Sequence, residues 1–413
     1  MLKKDAADMS TPRGFRDVLP TEALEREGLA RAVSSVMSAW GYGPVETPVV
    51  ELDSTVAAGL RAPGSARSFR LIDSDGKLLC LRPDMTMPIA RLVATRLAGD
   101  PGPHRLRYAA DVFREKPSLG GQSREFTQSG LELIGVGGAC GDAEVVAVLV
   151  ESLLAAGLDE FVVTMGTVAV LTGLIRAAKM PGDWSGDVLA AAHDRNLVAL
   201  DALAGRPDVP AEVGAGLRAV PRIRGGRRAI DEARALVSSL GVGEALDQLE
   251  ETWGLLESAG VSDYVSVDLG VMRSFGYYTG MVLEVYVAGL GLPLGGGGRY
   301  DSLLGEFGCE MPAAGFALSV ERLHVALAQQ DANSGEVLVD AVVGGAATEA
   351  FSAARRLRDA GRSVVIVSDT ADAEILEQAC RWGAEPLRAE AGSTVSLADP
   401  LPGRGEAGTD ARR

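Results

Sequence analysis

The spacing of apolar positions changes along this chain from helical to strand-like and back again. Two segments carry the clearest strand patterns, Tyr108 to Arg114 and Phe126 to Gly135, and a loop rich in proline and glycine lies between them. Strand, Gly/Pro loop and strand in this order predict a long antiparallel hairpin. Apolar residues recur at helical spacing elsewhere, which predicts helices over about 21–40, 142–156 and most of 168–260.

The second strand of this hairpin carries polar side chains on one face. Residues two apart in a strand point to the same side of a sheet, so Phe126, Gln128, Gly130 and Glu132 share a face. If that face is covered, Gln128 and Glu132 line a cleft. If it is not covered, it is a solvated sheet face, which antiparallel sheets often have. The strand alone leaves both interpretations open.

Towards the C-terminus the pattern becomes that of a second, smaller domain. Strand and helix patterns alternate over 337–382, which indicates a βαβα unit with parallel strands. We therefore expect an α+β fold over 11–326, with a mainly helical insertion at about 168–260. A small C-terminal α/β domain is expected at 336–395, and a disordered tail at 396–413.

Composition and charge narrow the class of protein. The chain has 413 residues, 47% of them apolar, which suits two domains with a substantial core. Its formal net charge is −16 and no basic block stands out, so nucleic acid is a poor candidate for the main partner. No apolar run is long enough to cross a membrane and no signal peptide is evident. Four cysteines and three histidines are scattered without disulfide or metal spacing, which favours a reducing cytoplasm and no metal site.

A run of four glycines, Gly295 to Gly298, precedes Arg299, Tyr300 and Asp301. Glycine allows a ligand or a neighbouring segment to approach the backbone closely. A flexible hairpin turn is the alternative, and the run by itself does not decide between the two. No Lys-Ser or Lys-Thr follows the glycines, which argues against a phosphate-binding P-loop.

Several short motifs in this order resemble the class II histidyl-tRNA synthetase family over about residues 11–326. The resemblance implies a class II aminoacyl-tRNA synthetase-like antiparallel sheet flanked by helices, with a small C-terminal α/β domain. The motifs are Arg82-Pro83-Asp84-Met85-Thr86, Phe113-Arg114, Arg124-Glu125-Phe126-Thr127-Gln128, Arg273 with Tyr277-Tyr278, Gly297-Gly298-Arg299-Tyr300-Asp301, and Gly315-Phe316-Ala317 with Glu321-Arg322-Leu323.

Some positions depart from the synthetase pattern. The synthetases read Arg-Pro-Glu-Gly-Thr where this chain has Asp84 and Met85. They carry an arginine in place of Gln122, a histidine in place of Thr127 and an aspartate in place of Gly276. The residues at Asp84-Met85-Thr86 and Ser123 to Gln128 resemble those of a paralogous family. Its members serve as the regulatory subunit of ATP phosphoribosyltransferase, the enzyme of the first step of histidine biosynthesis.

The resemblance also implies a pocket for free histidine. Carboxylates and an amide can accept from an ammonium or a ring N–H, an arginine can hold a carboxylate through two parallel bonds, and tyrosines supply flat apolar walls. The alternative is that these groups satisfy one another in an empty, decayed pocket. No cofactor is expected. By position, the histidine-binding set is Asp84, Thr86, Arg114, Gln128, Glu132, Arg273, Tyr277 and Tyr278.

Other positions bear on catalysis. Arg114 and Arg322 match arginines that the synthetases use for ATP, whereas Gln122 removes a positive charge there and Met85 is expected to add bulk beside the ligand. Adenylation calls for preorganised cations, so these changes favour a chain without catalytic residues. Synthetases bind tRNA with the C-terminal unit. In this chain acidic residues are spread through that unit, so its surface is unfavourable for binding RNA phosphates.

The leading hypothesis is a non-catalytic regulatory subunit that makes a short catalytic ATP phosphoribosyltransferase chain active. Histidine binding would then lower the activity of that partner. Since such coupling is reciprocal in binding, the substrates of the partner must disfavour the state that histidine prefers. The resemblance implies a homodimer inside a larger hetero-oligomer. A cytoplasmic location is expected, with neither a membrane nor tRNA as a partner. The alternatives are an active histidyl-tRNA synthetase (a histidine–tRNA ligase) and a stand-alone amino-acid sensor.

Overall fold

The chain divides into two compact units in the computed structural model. The large unit takes Met1–Asp17 and Arg26–Asn333, and the small unit takes Val18–Glu25 and Ser334–Arg413. The predicted domain limits stay a prediction, because a compact unit is not by itself a separately folding domain. The predicted tail at 396–413 lies almost wholly outside the described residues. The structure describes residues 10–59, 68–115, 123–271, 277–330, 339–368 and 371–397.

Helices occur in both units of the described part of the chain. The helices are α1 (Pro20–Ala39), α2 (Asp53–Gly59), α3 (Thr86–Arg96), α4 (Gly138–Ala155), α5 (Val168–Ala178), α6 (Gly182–His193), α7 (Leu197–Ala204), α8 (Ala211–Ala219), α9 (Arg228–Val237), α10 (Gly243–Ser258), α11 (Val320–Gln329), α12 (Ala347–Asp359) and α13 (Asp372–Trp382). Short 3-10 helices lie at Val220–Arg222, Ser238–Leu240, Ser262–Tyr264 and Leu304–Phe307.

The strands form three sheets. They are β1 (Gly43–Pro44), β2 (Val50–Leu52), β3 (Arg70–Ile72), β4 (Leu78–Leu81), β5 (His104–Phe113), β6 (Glu125–Ile134), β7 (Val162–Thr167), β8 (Arg224–Gly225), β9 (Val265–Asp268), β10 (Met281–Tyr286), β11 (Gly295–Arg299), β12 (Ala313–Ser319), β13 (Ala341–Gly345), β14 (Val364–Ser368), β15 (Glu385–Glu390) and β16 (Ser393–Ser396). None of the helices in the described residues is both long and apolar enough to cross a bilayer.

The main sheet has nine strands in the order β1-β5-β6-β12-β11-β10-β7-β9-β8. From β5 to β7 in this order, each strand pairs antiparallel with the next, whereas β1 pairs in parallel with β5 and β9 with β7. The predicted hairpin is confirmed, because β5 and β6 pair from His104 opposite Ile134 to Phe113 opposite Glu125. The antiparallel sheet of the predicted α+β fold is therefore present, and its predicted loop tip at 116–122 lies outside the described residues.

Glycines occupy the positions beside Glu132 on the neighbouring strands of the main sheet. Glu132 lies opposite Gly315 on β12, and Gly315 lies opposite Gly298 on β11. Residues directly opposite one another share a face of the sheet, so these positions all lie on one side. A hairpin turn at the glycine run is wrong, because β11 lies in the interior of the sheet. A Cβ at Gly297 would come within 1.9 Å of the Gly315 carbonyl oxygen, so the neighbouring strand requires glycine there.

The opposite face of β6 lies against the main apolar core. Leu131 and Leu133 are completely buried there, in one cluster with Val146 and Leu149 of α4. Residues 168–260 contain α5 to α10 and the two-residue β8, in agreement with the helical pattern. One face of the sheet is thus filled by helices, and the other face is left for the polar side chains.

A buried ion pair joins α4 to β11. The Nε atom of Arg299 donates to Asp142 Oδ1 at 2.7 Å, and both side chains are only 3% exposed. Gln248 of α10 donates to the other oxygen of Asp142 at 2.7 Å. Because each charge is paired and hydrogen-bonded, this cluster contributes to holding the helical region against the sheet.

A small sheet in the order β2-β4-β3 presents an apolar surface. Val50 and Leu52 lie two residues apart on β2, and Leu52 and Leu71 both lie opposite Leu79 of β4. These side chains therefore share one face. Val50, Leu52 and Leu71 are 41%, 45% and 42% exposed, which is high for three adjacent aliphatic side chains.

The small unit contains a sheet in the order β14-β13-β15-β16 with helices α12 and α13. β13 pairs in parallel with both β14 and β15, so the predicted parallel βαβα unit is confirmed. The strands β15 and β16, which the sequence pattern did not indicate, pair antiparallel at the end of the described chain.

Candidate functional site

A cleft open to solvent lies on the Glu132 face of the main sheet. The eighth predicted residue, Arg273, lies outside the described residues, as do Gln122 and Gly276. The other predicted residues are described, and all of them lie in this one cleft. The predicted site residues that line the cleft are Asp84, Thr86, Arg114, Gln128, Glu132, Tyr277 and Tyr278.

The segment between β4 and α3 places Asp84 and Thr86 in the cleft. Arg82 is buried and anchors this segment, because its Nε donates to the Asp111 carbonyl at 2.8 Å and its Nη1 to the Thr47 carbonyl at 2.7 Å. Asp84 Oδ1 then accepts from the Met87 backbone N–H at 3.1 Å, which satisfies one donor in the first turn of α3. Asp84 Oδ2 is buried and has no hydrogen-bond partner.

Glu132 lies at the bottom of the cleft, where it is 1% exposed. Thr86 Oγ1 donates to Glu132 Oε1 at 2.8 Å, and the Tyr108 hydroxyl donates to the same oxygen at 3.4 Å. The Tyr300 hydroxyl donates to Oε2. A ring of hydroxyl groups thus holds the carboxylate in place.

Burial raises the pKa values of the two carboxyl groups in this cleft. The pKa of Glu132 is raised to about 8, chiefly because the side chain is removed from water; hydrogen bonds from Tyr300 and Thr86 oppose this rise, and the charge of Asp84 adds to it. Burial also raises the pKa of Asp84, against smaller opposing effects of its backbone hydrogen bond from Met87 and the charge of Arg114. The cleft therefore contains two carboxyl groups whose pKa values are raised chiefly by burial.

Two acceptors in the cleft are left open in the described structure. Asp84 Oδ2 and Gln128 Oε1 are both buried without a hydrogen-bond partner. A buried acceptor without a hydrogen-bond partner costs about 1–3 kcal/mol. A ligand that donates a hydrogen bond to either oxygen therefore removes this cost when it binds. The interpretation as a solvated sheet face is wrong, because Gln128 and Glu132 are buried. The decayed-pocket alternative is disfavoured, since the polar groups do not all satisfy one another.

Cationic and aromatic side chains form the upper part of the cleft. The guanidinium carbon of Arg114 lies 5.0 Å from the centroid of the Phe126 ring, and Arg114 Nε donates to the Pro83 carbonyl at 2.8 Å. Arg322 also lines the cleft, and its Nη1 donates to the Pro293 carbonyl. These two arginines can meet the anionic end of a ligand.

Tyrosines form the wall next to Glu132. The Tyr277 and Tyr278 ring centroids are 4.8 Å apart, and the Tyr277 ring meets the edge of Tyr300 at 5.8 Å. The prediction that Met85 adds bulk beside a ligand is wrong. Its side chain is completely buried in the apolar cluster that also contains Met87, and it is not part of the cleft wall.

Sequence reasoning missed three residues that shape the Glu132 environment. Tyr108 and Tyr300 supply two of its hydroxyl donors, and Gly315 leaves the space that its carboxylate fills. A Cβ at Gly315 would lie 2.0 Å from Glu132 Oε2. Tyr300 and Gly315 were visible in the motifs, but only the strand register shows that they meet Glu132.

Fold and cleft together define a class II histidyl-tRNA synthetase-like protein. The profile of the histidyl-tRNA synthetase family matches residues 14–323. A solved structure from Bacillus halodurans, described as an ATP phosphoribosyltransferase regulatory subunit/histidyl-tRNA synthetase, superposes with a TM-score of 0.81 at 33% identity. The match covers 91% of this chain and 97% of that one. The histidyl-tRNA synthetase of Nostoc sp. PCC 7120 has the same fold, with a TM-score of 0.76 at 23% identity over 95% of this chain and 97% of that one.

Relatives with similar sequences show to which branch of these synthetase-like proteins the chain belongs. The ATP phosphoribosyltransferase regulatory subunit of Moorella thermoacetica is 39% identical over 92% of this chain and 97% of its own length. That of Symbiobacterium thermophilum is 41% identical over 86% of this chain and 90% of its own length. The chain belongs to the family of ATP phosphoribosyltransferase regulatory subunits.

Proposed function

We propose that this chain is the non-catalytic regulatory subunit that makes a short catalytic ATP phosphoribosyltransferase chain active. We further propose that free histidine, bound in the cleft, lowers the activity of the complex. The observation that carries the choice of ligand is the pair of buried carboxyl groups, Asp84 and Glu132, beside an open amide oxygen. No ion pair with a cation satisfies either carboxyl group within the described residues.

Histidine supplies what these groups need. Its ammonium is a cation with three donors, which suits the open oxygens of Asp84 and Gln128. Its imidazole N–H can donate to Glu132, and its flat ring suits a wall made of Tyr277 and Tyr278. Its carboxylate can pair with an arginine, for which Arg273 stays the predicted partner. An amino acid without a ring donor leaves Glu132 unsatisfied and loses affinity accordingly.

Calorimetric titration with histidine tests the ligand assignment. Glu132→Ala removes the acceptor at the bottom of the cleft and is expected to weaken binding by at least tenfold, since a hydrogen bond to a charged group contributes about 1.5–3 kcal/mol. Arg273→Ala is expected to weaken it similarly. Glu244→Ala, an exposed position at the start of α10, is the matched control and should bind as the unchanged chain does. Unchanged affinity in Glu132→Ala would show that histidine does not bind in this cleft.

Co-expression tests the partner. A short catalytic chain that is inactive alone should co-purify with this chain and gain ATP phosphoribosyltransferase activity. The relatives at 39% and 41% identity support this assignment, since both are regulatory subunits of that enzyme. A catalytic chain that is fully active without this subunit would contradict the proposal.

An active histidyl-tRNA synthetase is the second candidate. Arg114 and Arg322 favour it, because both matched arginines line the cleft, where they could meet ATP phosphates. Histidine-dependent exchange between ATP and pyrophosphate by the purified chain separates the two functions. Exchange at a synthetase-like rate would contradict a non-catalytic role. Saturable histidine binding with neither exchange nor a catalytic partner would instead favour a stand-alone sensor.

The proposal includes a homodimer, as the family resemblance implies. The apolar face formed by Val50, Leu52 and Leu71 supports it, because adjacent exposed aliphatic side chains are typical of association surfaces. Light scattering should give twice the chain mass for the unchanged protein. Leu71→Lys should shift the protein towards the monomer, and Ser54→Lys, on the exposed side of α2, is the control. A dimer that survives Leu71→Lys unchanged would exclude this face.

A further inference from the structure

We propose that ligand binding in the cleft releases one proton from Glu132 to solvent, so that the affinity for histidine rises with pH. This inference rests on the proposed function, because it takes histidine as the ligand. It concerns how that site responds to its surroundings and adds no further residue to the proposed binding set.

The groups that face Glu132 come from four elements. Asp84 and Thr86 lie at the start of α3, Tyr108 lies on β5, Tyr300 follows β11, and the backbone of Gly315 belongs to β12. They comprise three hydroxyl groups, one carboxyl group and a backbone that offers no charge. Within the described residues no cation forms an ion pair with Glu132. Arg114 and Arg322 line the same cleft, but the partners of Glu132 in the described structure are hydroxyl groups and neither arginine is paired with it.

The two protonation states of Glu132 use this environment differently. The ionised carboxylate can accept from Thr86, Tyr108 and Tyr300 at the same time. The neutral carboxyl carries its own hydrogen, so one of these hydroxyls must turn and accept it. Hydrogen bonding thus favours ionisation, while burial and the neighbouring Asp84 oppose it. A balance of this kind is easily changed by a charge that enters the cleft.

Histidine brings that charge. Between pH 7 and 8 its ring is mostly neutral, because an imidazole titrates at about 6.5, and the ammonium of the free amino acid is positive. The ammonium and a ring N–H both favour the ionised form of Glu132. The protonated site plus histidine therefore gives the complex plus one proton in solution.

The size of the effect follows from the pKa of about 8 for Glu132 in the empty cleft. At that value about nine tenths of the sites are protonated at pH 7 and half at pH 8. If the bound form needs the ionised carboxylate, the Kd for histidine should fall about fivefold between pH 7 and pH 8. Binding at pH 7 should release about 0.9 proton per site.

Calorimetry with L-histidine at pH 7 tests this directly. The titration is run in phosphate and in Tris, whose heats of ionisation differ, so the difference in binding heat counts the protons exchanged. Release of close to one proton per site is the expected result. Binding with no proton exchange, or with uptake, would overturn the inference while leaving histidine as the ligand. Absence of binding in both buffers would overturn the proposed function as well.

Two variants identify the group that releases the proton. Glu132→Gln retains the shape but cannot titrate, so any binding that it retains should release no proton. Thr86→Val removes a donor to the ionised form, so the midpoint of the pH dependence should move to higher pH. Continued release in Glu132→Gln, or an unmoved midpoint in Thr86→Val, would overturn the assignment to Glu132. The buffer comparison on the unchanged protein decides the matter even if Glu132→Gln does not bind.

Discussion

Gly315→Ala tests the geometry of the cleft with a single methyl group. The new Cβ would lie 2.0 Å from Glu132 Oε2 and 2.4 Å from the Leu131 carbonyl oxygen. Both contacts are shorter than any that a real Cβ makes, so the carboxylate and the strand must move apart by about 1 Å. A shift of that size breaks or lengthens the hydrogen bonds that Glu132 accepts from Thr86 and Tyr300.

The expected magnitude follows from these contacts. Overpacking in a closed core costs about 1–3 kcal/mol. Weakening one or two hydrogen bonds adds about 0.5–1.5 kcal/mol each. We therefore expect Gly315→Ala to lower the free energy of unfolding by about 2–4 kcal/mol. Histidine affinity should fall at least tenfold, because the acceptor for the ligand is displaced from its place opposite Gly315.

The assays are urea unfolding and calorimetric titration with histidine. Gly254→Ala in α10 is the matched control, because a Cβ there meets no atom within 4 Å. Alanine is favoured over glycine inside a helix by about 1 kcal/mol, so the same chemical change should stabilise the protein there and leave histidine affinity unchanged. Gly315→Ala with unaltered stability and unaltered affinity would refute the position assigned to Glu132.

Three further outcomes are expected. Asp142→Ala should lower the free energy of unfolding in urea by about 1.5–3 kcal/mol, because it removes the buried partner of Arg299 and leaves the more exposed Asp301 as its ion-pair partner; a loss below 1 kcal/mol would contradict this role. The pKa of Glu132 is raised in the folded chain, so its contribution to stability is present at low pH and is lost as the pH rises through about 8. Relative to Glu132→Gln, the unchanged protein should therefore lose about 2 kcal/mol of unfolding free energy between pH 6 and pH 8, and a constant difference would argue against it. Tyr300→Phe should weaken histidine binding by about tenfold in calorimetry while keeping the ring contact with Tyr277, and equal binding would show that its hydroxyl is not needed.

The sequence predicts those features of the site that depend on residues close to one another in the chain. Alternation along β6 places Gln128 and Glu132 on one face, and the observed register agrees with it. The turn from Leu81 into α3 likewise follows from the end of one apolar run and the start of another. The resemblance added which of these side chains to consider together, and the structure places those that it describes around one cleft.

The remaining part depends on contacts between distant segments. Tyr300 meets Glu132 across 168 positions of sequence, and Arg299 meets Asp142 across 157. No periodicity within a segment indicates such pairs. The glycines of β11 show the same limit, because glycine is depleted in strands and local propensity favours a turn. Only the crowded approach of β12 explains why glycine is required there.

The strand pattern of β15 was hidden by its composition. Pro386 and charged residues interrupt the alternation that marks a strand. Its parallel partner β13 still accommodates it, because the apolar Leu387 and Ala389 are buried in the core of the small unit. Burial of alternate side chains, which the sequence shows only weakly, decides the structure here.

The central claim is that histidine acts on a partner enzyme through this cleft. The most direct measurement is the ATP phosphoribosyltransferase activity of the reconstituted complex as the histidine concentration is raised, beside the same titration of the catalytic chain alone. The account predicts activity only in the complex, falling as histidine saturates the cleft at the Kd found by calorimetry. A complex whose activity does not respond to histidine at concentrations that fill the cleft would contradict it.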